Sequence, residues 1–136
     1  MNGALKIDQI TAYFSAIGKE VSDNFVQVYA DDTGTDPSFY GAFSFLNLAF
    51  FIVAFYPEEM IFAPVTPLGD FDGSQPPMTL DRKELTEFSV KKGLMQYKIH
   101  LATTDGKATL KCSKVILIAP WQKENLKKLV ENNWYR

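Results

Sequence analysis

Cysteine and histidine are almost absent from this sequence, because its 136 residues contain one of each, Cys112 and His100. A disulfide needs two cysteines and a structural zinc site needs several Cys or His ligands, so neither can form within the chain. An excess of one charge is also missing, since 14 lysines and arginines stand against 16 acids, a net charge of -2. Overall charge therefore does not favour nucleic acid or an anionic membrane as a partner.

Motifs that carry catalysis or nucleotide binding are absent as well. The sequence has no Gly-x-Ser-x-Gly elbow, no glycine-rich phosphate loop and no dinucleotide fingerprint. The acidic stretch 70–73 (DFDG) lacks the alternating ligands and terminal glutamate of a calcium loop, so it predicts a plain turn. We therefore expect no enzymatic activity, no cofactor and no metal site.

What remains is the composition of one folded domain. The apolar fraction is 46% and the charged fraction 22%, in a chain of 15.4 kDa, which is the commonest size for a single globular domain. Residues 1–9 carry Lys6 and Asp8 and no long apolar core, so we expect no signal peptide and a cytoplasmic location.

Residues 39–56 are the one long uncharged segment, with eighteen residues. That length reaches the lower limit for a membrane-spanning helix. However, Gly41, Ser44 and Asn47 interrupt the segment, and aromatic and β-branched residues are typical of strands. We interpret it as buried strands, with a membrane-associated helix as the alternative. The polar stretch 56–59 followed by the apolar run 60–65 predicts a hairpin.

The amino-terminal pattern predicts a helix. Apolar residues recur at spacings of three and four, which is one face of an amphipathic helix: Ile7, Ile10, Phe14, Ile17 and Val21. After them, Phe25 and Val28 fit a continued helix, while Phe25, Gln27 and Tyr29 fit an alternating strand. Turn-forming residues at 31–38 and 66–77 predict two loops.

The carboxyl half predicts two hairpins and a final helix. One strand ends near Val90, and residues 91–93 are predicted to form a turn in which Gly93 can take a positive φ. Residues 95–103 alternate, and Asp105-Gly106 is a strong signal for a two-residue turn. That turn predicts a register with Leu101 opposite Leu110, Ile99 opposite Cys112 and His100 opposite Lys111. Pro120 begins a helix that runs to about residue 132 or 133 and buries Trp121, Leu126 and Leu129.

This register assigns structural roles to the two rare residues. His100 falls on the outer face beside a lysine, which disfavours the imidazolium and offers no acceptor to orient the ring. Cys112 alternates with Leu110 on the inner face, where a thiol behaves as a small apolar group. Neither is predicted to be catalytic.

Three stretches carry a resemblance to a known family: 51–62 (FIVAFYPEEMIF), 88–107 (FSVKKGLMQYKIHLATTDGK) and 121–130 (WQKENLKKLV). They resemble bacterial pleckstrin-homology-like (PH-like) domains. The resemblance implies an α+β, mainly β fold: an antiparallel PH-like barrel of about seven strands closed by a carboxyl-terminal helix. In that reading residues 1–136 are one domain, with a helical extension at about 4–29 and the barrel and closing helix at about 39–133.

The resemblance also implies binding and not catalysis. PH domains that hold phosphoinositides use a basic first hairpin, and here that turn contains Glu58 and Glu59. We therefore expect a protein or peptide partner, with self-association as a variant because the chain holds 11 Phe and 6 Tyr. Nucleic acid and membrane contact are not expected. The rival interpretation is a small-molecule carrier or enzyme that uses the barrel interior, with residues 66–77 as a lid.

Lysines of the last two hairpins form the candidate binding surface. Strand alternation places Lys98, Lys107 and Lys111 on one outer face, with Lys91 and Lys92 in the neighbouring turn. Such a patch could bind an anionic ligand. The alternative is that these lysines only keep an exposed sheet soluble.

Overall fold

The computed structural model describes residues 6–30, 50–66, 69–104, 106–116 and 118–136. The strands among these residues form one antiparallel sheet in the order β4-β3-β2-β1-β7-β6-β5. The helices and strands are α1 (Ile7–Ala16), β1 (Phe25–Ala30), β2 (Phe50–Phe55), β3 (Glu59–Pro64), β4 (Met78–Asp81), β5 (Glu87–Lys92), β6 (Gln96–Thr103), β7 (Gly106–Ser113) and α2 (Trp121–Glu131). The α+β, mainly β class, the seven strands and the two terminal helices are confirmed.

The sheet is open, because its two outer strands, β4 and β5, do not pair with each other. They are nevertheless consecutive in the chain. Residues 82–86 join them, and so short a linker spans at most about 20 Å. The sheet must therefore curl enough to bring its two edges near each other, although it does not close into the expected barrel.

The first predicted hairpin is confirmed. Phe55 pairs with Met60 across the turn, and the Tyr56 N–H donates to the Glu59 carbonyl. Strand β2 takes up the end of the uncharged segment, and residues 39–49 lie outside the described part of the chain. Among the described residues, no helix is long and apolar enough to cross a membrane.

The amino-terminal helix is shorter than the apolar pattern predicts. It ends at Ala16, and Gly18 follows with φ 79°, a conformation that glycine adopts at little cost. Only Ile10 and Phe14 of the apolar stripe are buried in it. The open choice at residues 25–29 is resolved as a strand, since β1 lies between β2 and β7. The expected helical extension to about residue 29 is therefore wrong.

The described residues of the loop at 66–77 contact α1. Residues 67 and 68 lie outside the described part of the chain, and so does the predicted loop at 31–38. The Phe71 ring stacks on Tyr13, with 4.1 Å between ring centroids, and Phe71 forms a β-bridge with Val65. Asp72 accepts hydrogen bonds from the Ser74 N–H and hydroxyl. The predicted turn is thus present, and an aromatic contact anchors the stretch before it.

Each face of the sheet carries a core. The inner core joins apolar side chains of six strands to α2 and includes Val28, Val53, Phe62, Ile99, Leu110, Leu126 and Leu129. The outer core lies beneath α1 and includes Ile10, Phe14, Ile52, Ala54 and Ile61. Strands β2 and β3 are buried on both faces, which explains their continuous apolar sequences.

The predicted register of the last hairpin is wrong by two residues. Thr103 pairs with Gly106, so Leu101 lies opposite Ala108, Ile99 opposite Leu110 and His100 opposite Thr109. Gly106 belongs to β7 and is not a turn residue. A shift of two residues keeps every side chain on its predicted face, because side chains alternate with a period of two. The inner and outer sets of residues are therefore as expected.

Gly93 is needed for space and not for a positive φ. Gly93 does not use the positive φ that is open to a glycine, but a Cβ built there would lie 2.6 Å from the Gln96 carbonyl oxygen. The Gly93 N–H donates to the same oxygen at 2.8 Å. The turn between β5 and β6 is thus too tight for any side chain at this position.

Helix α2 places the polar side chain of Gln122 between β1 and β7, where these two strands separate. Among the described residues these strands pair at Tyr29 with Lys111 and at Ala30 with Leu110. Beyond that point the buried Gln122 amide takes the place of a neighbouring strand. It accepts from the Gln27 N–H and donates to the carbonyls of Gln27 and Ser113, each at 3.0 Å. The helix therefore satisfies main-chain groups that the split in the sheet leaves open.

A left-handed turn follows α2. Asn133, Trp134 and Tyr135 all have positive φ, between 53° and 60°, which disfavours non-glycine residues by about 1 to 2 kcal/mol each. The turn directs the Trp134 ring into the inner core, 5.2 Å from the Phe55 ring. Burial of this indole opposes the backbone cost.

Candidate functional site

Three of the predicted lysines form a row across the outer face of the sheet. Lys91 pairs with Lys98, and Lys98 pairs with Lys111. Like charges directly opposite each other on adjacent strands are unfavourable. The Lys111 ammonium lies 6.0 Å from the Tyr29 ring centroid, a cation–π distance.

The other two predicted lysines are not part of this row. Lys107 shares the outer face but pairs with Ala102, and four residues of strand put it about 13 Å along β7 from Lys111. Lys92 pairs with Tyr97, next to Lys91 and so on the opposite face. The surface predicted from sequence is thus divided between two faces, and its role in binding an anion stays a prediction.

His100 has a neutral partner. Its Nδ1 lies 3.1 Å from the Thr109 hydroxyl oxygen, and not beside Lys111 as the register predicted. Within the described residues, no group of three or more His, Cys, Asp or Glu side chains is placed to hold a metal ion. The arrangement orients the ring without supplying a carboxylate.

Cys112 lies fully buried on the inner face, as predicted. Burial raises the pKa of its thiol to about 12, although the Gln122 amide, 3.3 Å from Sγ, acts in the opposite direction. The thiol is therefore protonated at neutral pH, and a protonated thiol is a poor nucleophile.

This thiol should make the free energy of unfolding decrease as the pH rises through the alkaline range. Above the usual pKa of 9.0 the unfolded thiol loses its proton, while the folded thiol keeps it up to about pH 12. The unfolded state then binds fewer protons, so stability falls as pH rises, by about 1.4 kcal/mol per unit. We expect the difference in urea stability between the wild type and Cys112→Ala to narrow at that rate. A difference that is constant from pH 8 to 10.5 would contradict this.

A groove between α2 and the sheet brings Lys92 together with three lysines outside the candidate surface predicted from the sequence. Its volume is about 390 Å³. Its floor is apolar and its rim is basic; the floor contains Tyr97, Val115, Leu126 and Val130, and the rim Lys92, Lys114, Lys123 and Lys127. Glu131 is the one acid in its lining. We call this feature the lysine-rimmed groove.

Regular structure positions each part of the groove. Lys123 and Lys127 are one helical turn apart on α2, which puts both on the same edge. On the opposite side, Lys92 and Tyr97 are cross-strand partners. The Lys114 ammonium lies 5.4 Å from the Tyr97 ring centroid, so a cation covers part of the floor. Both walls therefore present ammonium groups above an apolar surface.

The rim lysines form no ion pair with any residue that the structure describes. In the part of the chain that the structure describes, the one ion pair is between Lys19 and Glu59, which lie outside the groove. The apolar surface also continues past the groove. The Lys114 N–H donates to the Met95 carbonyl, and at this hairpin tip Leu94 is 90% exposed and Met95 76% exposed. Charge and apolar area are thus exposed together at one end of the molecule.

Sequence reasoning missed the groove because its lysines lie in separate elements. The sequence pattern places Lys123 and Lys127 on the solvent-exposed face of an amphipathic helix, and both side chains are exposed in the structure. The one signal in the sequence was the apolar residue Val130 close to these two lysines. The structure shows that Val130 is 44% exposed. Its apolar neighbour, Val115, precedes the helix by several residues and meets it only in the folded chain.

No protein-family model matches the chain, and no curated protein matches its sequence.

Proposed function

We propose that this chain is a non-catalytic binding module that holds an acidic, amphipathic peptide segment of a protein partner in the lysine-rimmed groove. The observation that carries the proposal is the set of four rim lysines around an apolar floor, none of which forms an ion pair with a carboxylate of the described residues. Exposed apolar area combined with unpaired charge of one sign is typical of a recognition surface.

Charge complementarity indicates an acidic ligand. Four ammonium groups and one carboxylate surround the groove, so its local potential is positive although the whole chain is slightly acidic. Acidic groups of a ligand would be attracted to the rim over about 8 Å at physiological ionic strength. The attraction should therefore weaken as salt is added.

The shape and floor of the groove favour a peptide. A concave apolar floor of this size accommodates a few aliphatic side chains that project from a peptide, whose acidic residues then reach the rim. Nucleic acid fits less well, because Lys114 already lies over the Tyr97 ring and base stacking needs an open aromatic face.

The same proposal includes a PH-like architecture and a cytoplasmic location. A curled antiparallel sheet with a carboxyl-terminal helix against its inner face supports the first. A single buried, protonated thiol is compatible with the second, since the fold needs no disulfide.

Fluorescence polarisation with a labelled peptide tests the proposal. The probe is a fluorescein-labelled peptide with three repeats of Glu-Leu-Leu-Glu, and a Lys-Leu-Leu-Lys peptide of equal length serves as its control. We expect saturable binding of the acidic peptide only. The Lys123→Glu/Lys127→Glu variant should weaken it at least about tenfold, or about 1.4 kcal/mol, because two attractive contacts become repulsive.

A matched variant separates the groove from net charge. Lys83→Glu/Lys128→Glu changes total charge equally at exposed positions outside the groove, and it should bind the acidic peptide as the wild type does. Equal weakening in both variants would mean that only overall charge matters. Sedimentation with phosphatidylserine vesicles but no peptide binding would replace the peptide with a membrane surface as the ligand.

A further inference from the structure

The two arginines of the sequence meet on one aromatic ring, and neither of them lines the lysine-rimmed groove. Arg82 belongs to the short helical turn Arg82–Glu84 between β4 and β5, and Arg136 follows α2 and its left-handed turn. Their Cζ atoms lie 5.3 Å and 4.9 Å from the Phe88 ring centroid. The two positive charges are therefore within about 10 Å of each other.

Main-chain carbonyls hold both guanidinium groups in place. Arg82 Nη2 donates to the Trp134 carbonyl, and Arg136 Nη1 donates to the Phe88 carbonyl at 2.8 Å. The first bond also fastens the left-handed turn that buries Trp134. These contacts use few of the five N–H donors that each guanidinium has.

The remaining donors of Arg82 are poorly satisfied. Its Nε and Nη1 atoms are buried and have no hydrogen-bond partner. Neither arginine forms an ion pair with any described residue. Asp81, the acid adjacent to Arg82 in the sequence, instead accepts a hydrogen bond from the Lys83 N–H at 2.9 Å, and Glu87 accepts one from the Ser89 hydroxyl at 3.3 Å. The half-buried Arg82 cation is unfavourable without an acid, since one carbonyl and two aromatic rings replace only part of the water that burial removes.

A cleft opens beside this pair. It has a volume of about 300 Å³ and is lined by Arg82, Leu85, Thr86, Glu87, Phe88 and Arg136. Burial and the nearby Arg136 charge both lower the pKa of the Arg82 guanidinium, which agrees with two cations that repel each other. A small anion in the cleft would relieve this repulsion and accept the unused N–H groups.

We infer that Arg82 and Arg136 form a binding site for the oxyanion group of a small ligand, a carboxylate or a phosphate. The planar guanidinium fork matches both groups, and an ammonium does not reproduce it. The site is separate from the lysine-rimmed groove and does not depend on the proposed peptide. Because Arg82 also donates a hydrogen bond to the Trp134 carbonyl, an anion that binds Arg82 should alter the environment of this tryptophan.

Titration of the full-length chain with sodium phosphate and with sodium acetate tests the inference. Ionic strength is kept constant with sodium chloride, and the readouts are tryptophan fluorescence and the thermal unfolding midpoint. We expect a saturable change in both, with half-saturation on the order of 1 to 10 mM for the preferred anion. A tighter phosphate curve would identify a phosphate-bearing ligand, and an equal or tighter acetate curve a carboxylate.

Three variants make the result decisive. Arg136→Gln should weaken the preferred anion at least about fivefold, or about 1 kcal/mol. Arg82→Lys should weaken it too, because it keeps the charge and loses the fork. Lys83→Gln removes one exposed charge next to Arg82 and should leave the titration unchanged.

Two results would overturn the site. One is a response to phosphate and acetate no larger than that to chloride. The other is an Arg136→Gln variant that titrates as the wild type does, and this variant keeps the test valid even if Arg82→Lys fails to fold. The Lys123→Glu/Lys127→Glu variant should keep its anion response, so loss of peptide binding and loss of this site are separable.

Discussion

Replacement of Gln122 by alanine is expected to destabilise the fold by about 2 to 4 kcal/mol, because it leaves buried main-chain groups without partners. The Gln122 side chain is fully buried and bonds the N–H and carbonyl of Gln27 and the carbonyl of Ser113. Urea denaturation, followed by tryptophan fluorescence, measures the change. The effect should appear in the midpoint and leave the slope unaltered.

Gln122→Glu is the informative companion to that variant. It keeps an acceptor for the Gln27 N–H but buries a carboxylate among carbonyl oxygens, so it should be less stable than Gln122→Ala at pH 7. The buried carboxyl pKa is raised, so protonation on acidification should remove that deficit. Equal stability of both variants at pH 7 and pH 4.5 would show that the amide is not wedged between β1 and β7.

Leu129→Ala is the second large effect that we expect, with a loss of about 2 to 5 kcal/mol. Leu129 has no exposed surface and belongs to the inner core. Truncation of its side chain leaves a cavity between α2 and the sheet. The loss should be read from the urea midpoint of the purified variant or, if it does not fold, from its lost near-ultraviolet circular dichroism.

Val130→Ala is the matched control on the same helix. Val130 is adjacent in sequence but 44% exposed, so its truncation should cost well under 1 kcal/mol. If the two variants were equally stable, α2 would not be docked through the Leu129 face.

The last hairpin shows how far local patterns reach. Alternation over β6 and β7 identified which residues face inward, and Tyr97, Ile99, Leu110 and Cys112 all lie on the predicted face. The pairing itself was displaced by two residues, since the turn was placed at Asp105-Gly106 while Gly106 pairs with Thr103. Periodicity is insensitive to a shift of two, so it determines the face of a strand but not its partner.

The candidate sites show what local sequence patterns cannot predict. Lys98 and Lys111 were correctly predicted to share an outer face because they belong to adjacent strands of one hairpin. The lysine-rimmed groove joins β5, β6, the segment after β7 and α2. The arginine pair joins residues 54 positions apart. Such contacts leave no local period in a sequence, and so no pattern indicated them.

The sequence by itself determined the α+β, mainly β class, the two terminal helices, the first hairpin and the buried faces of β6, β7 and α2. It could do so because helix and strand periods and turn-forming residues act over a few positions. Tertiary structure alone decided that residues 25–30 form a central strand and that the sheet stays open. It also decided that Gln122 completes the gap between β1 and β7. These outcomes depend on hydrogen bonds between main-chain groups and partners that are distant in the sequence. A buried main-chain group must be hydrogen-bonded, but its partner can come from any part of the chain.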